Sequence, residues 1–195
     1  MNDLFEESRD TTPLEPEEHE GLLPTWITYR GELNEMEQTN VAAGAAWARR
    51  QHRRDVLTVD FISELHRRMF NNVWAWAGKF RQTERNIGID PAQISVQVHT
   101  ALTDTRYWVD HQTCPPDEIA VRLHHRLVAI HPFPNGNGRA ARLVADLLAA
   151  RLGREPFTWG RASLINVSET RTRYVAALRA ADDYDIRPLL AFARS

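Results

Sequence analysis

The chain has 195 residues and a single cysteine, Cys114, so neither an intramolecular disulfide nor a cysteine-rich zinc site can form. Hydrophobic residues make up 43% and charged ones 26%, and a net charge of −2 excludes an overall basic pull toward nucleic acid or anionic membrane. No apolar run is long enough to span a bilayer, and "MNDLFEESRD" lacks the basic and apolar parts of a secretory signal, so a cytoplasmic, largely one-domain protein is expected.

Residues 1–24 are acidic, contain prolines and show no sustained periodicity, which predicts a flexible arm. Residues 25–56 form a helical extension: helix formers follow Gly31, and Leu33, Met36 and Val41 make an irregular apolar stripe. In "LTVDFISELHRRMF" the stripe is regular, with Phe61, Ile62, Leu65 and Met69 at helical spacing and Thr58 as its N-cap. The stretch "WAGKFRQTERNIGIDPAQISVQ" breaks that pattern with Gly78, Gly88 and Pro91, and Arg81 to Val96 is expected to form a small β-hairpin.

Helix returns in "VQVHTALTDTRYWVDHQ" and again in "PPDEIAVRLHHRLVAI". The latter opens on prolines and acids and aligns Ile119, Leu123, Leu127 and Ile130. "AARLVADLLAARLG" carries Leu143, Val144, Leu147 and Leu148 and stops at Gly153. A helix capped by Ser168, a turn near Asp185 and a short last helix complete the chain. The expected class is all-α with one hairpin, and residues 57–195 form its main domain.

Between two of the most periodic helices stands "HPFPNGNGRAAR", His131 to Arg142. Glycines at 136 and 138 ahead of a helix start allow backbone N–H groups to converge where the helix dipole is positive, which suits an anion. Arg139 and Arg142, three residues apart, share a helix face and offer two guanidinium forks for a di- or triphosphate. His131 titrates near neutrality and can take a proton from an attacking hydroxyl. Phe133 is an apolar anchor for the loop. Each feature alone has an ordinary structural explanation, but their order together predicts a phosphate-handling site.

This run resembles the signature of the Fic (Fido-domain) family, H-x-F-x-[D/E]-G-N-G-R-x-x-R. "RLHHRLVAIHPF", "RYVAALRAADDYDIRPLLAF" and "VWAWAGKFR" resemble the family's flanking segments, from about Leu57 to the C-terminus. "LPTWITYRGELNEMEQTNVAAGAAWA" is similar to a subgroup called mobile mystery protein B. The resemblance implies a Fic-type helical domain over 57–195 that transfers AMP from ATP, with Mg²⁺, to a protein hydroxyl. It assigns His131 as base, Gly136, Asn137 and Gly138 to the α-phosphate, and Arg139 and Arg142 to the outer phosphates. The hairpin resembles the family's flap, which would hold the target protein by strand-like pairing. Tyr174 either lines the nucleobase pocket or is a core aromatic.

Asn135 stands where the family has the Asp or Glu that binds Mg²⁺; an amide oxygen can still take the ion without the full charge, so a weakened metal site held mainly by the nucleotide phosphates is expected. The family also carries an inhibitory [S/T]-x-x-x-E-[G/N] helix. "TYRGEL" matches it through Thr28 and Glu32 but ends in Leu33, which makes Glu32 the candidate partner of Arg142. A separate DNA-binding partner protein is implied by the subgroup, with no nucleic acid or membrane bound directly. Two rival readings stay open: a nucleotide-binding or toxin–antitoxin-type protein with little catalysis, and a phosphoryl or phosphocholine transferase on the same fold.

Overall fold

A computed structural model of the chain describes Leu14, residues 21–161 and residues 167–195. Among these residues the chain forms α1 (Arg30–Arg49), α2 (Val59–Phe70), α3 (Ile94–His111), α4 (Pro116–Ile130), α5 (Asn137–Arg151), α6 (Val167–Asp182) and α7 (Arg187–Arg194). No described residue belongs to a multi-residue strand; an isolated antiparallel bridge pairs Leu22 with Trp74. No described helix is long and apolar enough to cross a membrane.

Local chemistry sets the helix ends. The Thr58 hydroxyl accepts from Phe61 N–H at 3.2 Å, as its N-cap position requires. Pro115 and Pro116 open α4, where their missing N–H groups cost no helical bond. Gly153 follows α5 with φ +75°, the left-handed conformation that ends many helices. Ser168 lies within α6 as its second residue rather than ahead of it, a displacement of the size usual at helix ends.

Packing places α4 and α5 at the centre, with α3 against α4, α2 against α5, α1 along α2, and α7 against α4 and α6. The expected stripe of α4, Ile119, Leu123, Leu127 and Ile130, is buried throughout, as are Val144 and Leu148 of α5. Phe61, Leu65 and Phe70 complete the interior from α2. Shortening such a side chain, Leu123→Ala for example, costs about 2–5 kcal/mol of stability.

The irregular stripe of α1 has a physical reason. Its buried face is Leu33, Glu37, Asn40, Gly44, Ala45 and Ala48, so polar and small residues occupy apolar positions. A Cβ on Gly44 would lie 2.7 Å from Met69 Cγ and 2.8 Å from the α2 backbone, so the two helices touch main chain to main chain there. Asn40 donates to the Arg68 carbonyl at 3.1 Å and accepts from Asn72 N–H at 2.8 Å, satisfying groups that the end of α2 leaves open.

Two expectations need correction. The end of the expected arm, residues 21–24, is part of the folded body: Leu23 N–H donates to Val73 O at 2.8 Å and Ala75 N–H to Gly21 O at 2.8 Å. Leu14 is buried and its N–H donates to Thr28 O at 3.0 Å, while the rest of the arm lies outside the described residues. Nor do Arg81 to Val96 form a hairpin. Residues 79–90 are an irregular loop, Pro91–Gln93 a 3₁₀ turn, and Ile94 already begins α3. Carbonyls that a ladder would use, Thr83 and Ile89, accept from the Arg81 guanidinium instead, at 2.9 and 2.5 Å.

Candidate active site

The loop of residues 131–136 joins α4 to α5 and is fixed by its own sequence. His131 ends α4 in the left-handed conformation, φ 54°, and Pro132 prevents the helix from continuing. Phe133 is 1% exposed and stacks on the His66 ring at 3.7 Å. Asn137 clasps the turn from inside, its Oδ1 accepting from Phe133 N–H and its Nδ2 donating to Phe133 O, both at 2.8 Å. Gly136 has φ 76°, and a Cβ there would lie 2.4 Å from Phe70 Cζ, so this turn admits only glycine. Gly138, one residue into α5, faces open space.

His66 supports the loop from below and is fully buried. Gly78 N–H donates to its Nδ1 at 3.0 Å, which leaves Nε2 protonated and donating to the Asn135 carbonyl at 3.0 Å. Burial, reinforced by the Arg139 cation, depresses its pKa to about 3, so the ring is neutral near pH 7. The same holds for His124, whose pKa burial and the Arg142 cation depress to about 3.

Above the loop opens a cleft of about 1300 Å³, lined among others by His131, Gly136, Gly138, Arg139, Arg142 and Tyr174. The N–H groups of the first turn of α5 lack intrahelical acceptors and carry the positive end of its dipole. His131 is half-buried, and burial first, then the Arg81 and Arg85 cations, hold its pKa below the usual histidine value. A neutral imidazole beside a concentration of positive charge can accept a proton and leave an anion stabilised.

Asn135, Gly136, Asn137, Gly138, Arg139 and Arg142 all line the cleft. Asn137 has its side chain committed to Phe133, so only its backbone N–H is offered to an anion. Asn135 is exposed, and its Oδ1 accepts from Gly136 N–H at 2.7 Å. Tyr174 is 7% exposed, hydrogen-bonds His124 Nε2 at 2.9 Å and lies beneath Arg142, so it is a core aromatic with one edge in the cleft. Glu32 does not meet Arg142: its carboxylate accepts from Thr28 and Tyr29 N–H at 3.0 and 3.2 Å, capping α1.

Among the described residues, Glu37 brings a carboxylate to a cleft arginine: it is 6% exposed, pairs with Arg139 at 2.7 Å and accepts from Trp74 Nε1 at 2.6 Å. Glu37, His66 and Arg81 are absent from the sequence reading. The signal for the two helical ones is a polar residue on a buried face: Glu37 lies four residues after Leu33, and His66 four before Phe70.

Comparison with known proteins agrees with this geometry. Residues 56–149 match the family model described as the Fic/DOC family. The chain is 34% identical over 142 residues to protein adenylyltransferase fic-1 of Caenorhabditis elegans, a match covering 71% of this chain and 27% of that protein. Protein adenylyltransferase Fic of Nematostella vectensis is 33% identical over 140 residues, covering 70% and 31%. The chain thus spans about a quarter to a third of the length of these relatives. A solved segment of C. elegans Fic-1 aligns with a TM-score of 0.64 at 29% identity, covering 93% of this chain and 54% of that one. BepC of Bartonella tribocorum, solved with bound AMPPNP, shares the fold with a TM-score of 0.68 at 19% identity, covering 90% and 95%.

Proposed function

The chain carries a Fic/DOC family domain, and from that premise we propose that it transfers AMP from ATP to a hydroxyl side chain of a target protein. One observation carries the reading: a neutral histidine, the N-terminus of a helix and two arginines converge on one cleft. A cleft of about 1300 Å³ has room for a nucleotide and a segment of a second chain. The relatives named as protein adenylyltransferases and the AMPPNP-bound fold neighbour point to the same donor.

In this reading His131 takes the proton of a target serine, threonine or tyrosine hydroxyl. The freed oxygen attacks the α-phosphorus of ATP, the bond to the β-phosphate bridge breaks, and pyrophosphate leaves with that electron pair. The N–H groups at the start of α5 meet the charge that grows on the α-phosphate oxygens, an effect largest where water is excluded. Arg139 and Arg142 hold the β- and γ-phosphates, for which the guanidinium fork is suited. Target approach is across the loop of residues 79–90, where Ile87 is 61% exposed.

Mg²⁺, expected from the resemblance, does not suit the protein donors. Asn135 offers a neutral amide oxygen already accepting from Gly136 N–H, and Glu37 is engaged by Trp74 and Arg139. Phosphate charge is accordingly met by the arginines and amides of the chain. The Glu37–Arg139 pair also favours a low basal rate, because Arg139 must release a carboxylate to take a phosphate.

Purified protein, alone and with cell lysate, is incubated with α-labelled or γ-labelled ATP. Covalent α-label with pyrophosphate release supports AMP transfer. Covalent γ-label assigns phosphoryl transfer instead, and nucleotide binding without covalent label assigns a binding protein.

A further inference from the structure

Arg81 lies 50 residues before His131 in sequence and is 2% exposed, a charge almost wholly withdrawn from water. Burial of a guanidinium is tolerable only where its donors are satisfied, and here each finds a carbonyl. Nε donates to the His131 carbonyl at 2.7 Å, and one terminal nitrogen reaches Ile89 O at 2.5 Å and Ile130 O at 3.4 Å. The other donates to Thr83 O at 2.9 Å, and Arg81 N–H donates to Pro132 O at 2.9 Å. One residue therefore holds both the carbonyl end of α4 and two points of the loop of residues 79–90.

The carbonyls of Ile130 and His131 are among those a helix C-terminus leaves without intrahelical donors, and a cation there also opposes the negative end of the dipole. His131 stands in a left-handed conformation that an L-residue adopts only when its surroundings impose it. Gly88, φ +100°, packs against the same helix end and against Arg81 itself. A Cβ on it would come within 2.7 Å of both Arg81 Nη2 and His131 Cβ. The loop thus closes on the backbone of His131 with no slack.

We infer that Arg81 is a positioning residue that sets the backbone of His131 and locks it in register with the loop of residues 79–90, so that base and loop move as one unit. Resting on the reading of His131 as base, this assigns Arg81 an effect on transfer that is separate from nucleotide binding, whose groups lie on α5. Lysine cannot replace the fork, because a single ammonium head does not span His131, Thr83 and Ile89 together.

Arg81→Lys and Gly88→Ala perturb the unit at two different residues. For each, AMPPNP affinity is measured by calorimetry and covalent labelling by α-labelled ATP at saturating nucleotide. The expected result is affinity within about twofold of the parent and labelling slower by about 100-fold, the loss that a misplacement near 1 Å produces. Affinity and labelling falling together in both variants, or labelling unchanged, would overturn the assignment. If the parent itself transfers no label, the functional reading fails. Hydrogen exchange then decides the Arg81 coupling: faster exchange at His131, Phe133 and Asn135, with the α5 amides unaltered, sustains it, and unchanged exchange at those three residues defeats it.

Discussion

Two non-helical segments border the cleft, and they are built by opposite means. The loop of residues 131–136 takes its shape chiefly from its own sequence, since Asn137 clasps Phe133 and Pro132 stops the preceding helix, while His66 and Phe70 of α2 support it from below. The loop of residues 79–90 is held by tertiary contacts with the end of α4, made chiefly by Arg81 and also by Gly88 and Ile89. A segment fixed by local chemistry is rigid by composition. One fixed by a tertiary contact is as rigid as that contact. The first holds the phosphates and the second governs how a target meets the base, so the two should fail differently when altered.

Within the first loop, His131→Ala should have the largest effect, lowering the transfer rate by about 10²- to 10⁴-fold, the usual contribution of a positioned base. Calorimetry should find its AMPPNP affinity nearly unchanged; an equal loss of both would mean that His131 binds rather than acts.

Two buried histidines, His66 beneath that loop and His124 beside Tyr174, link stability to pH. His66 and His124 have folded pKa values of about 3, below their unfolded values near 6.5, so the unfolded chain binds their protons first. Their contribution is complete above about pH 6.5 and is lost as pH falls toward 3, each by up to about 1.4 kcal/mol per pH unit. Asp146, raised to about 6 by burial, acts in the opposite sense between about pH 4 and 6. Two histidines outweigh one carboxyl. Denaturant melts should therefore show stability rising with pH across that interval, and a flat or falling curve would refute the buried, neutral histidines.

Glycines separate the local contacts further. Gly136→Ala meets both a positive φ and Phe70 and should cost about 1–3 kcal/mol in a thermal melt. Gly138→Ala meets nothing and should hold or raise stability by up to about 1 kcal/mol. Equal losses would show that the turn is not held as described.

At the rim the expected effects are smaller. Glu37→Gln keeps an acceptor for Trp74 but removes the charge from Arg139, and AMPPNP affinity should rise about fivefold, near 1 kcal/mol. Unaltered affinity would show that the pair does not compete with phosphate. Asn135→Asp supplies the carboxylate the parent lacks, so added magnesium should raise its labelling a fewfold above the parent's, and no gain would count against a missing carboxylate as the limit on turnover.

The same contrast explains what was legible in the sequence. Periodicity placed α2, α4 and α5 because Leu65, Leu123 and Val144 repeat on one face, and the Thr58 cap and Gly153 stop are local signals. The run from His131 to Arg142 could be read because its residues act on one another. Arg81 could not, since its acceptors lie up to 50 residues away, and the loop it organises therefore passed for a hairpin. Glu37 and His66 were hidden among apolar neighbours, where a polar residue reads as a flaw in the stripe. Glu32 matched a spacing yet spends its carboxylate on the start of its own helix.

The most direct test of the central claim is a crystal structure of the chain with bound AMPPNP. The account requires the α-phosphate oxygens on the N–H groups of Asn137 and Gly138, the outer phosphates at Arg139 and Arg142, and His131 facing the α-phosphorus. A γ-phosphate at His131, or a nucleotide seated away from the start of α5, would contradict it.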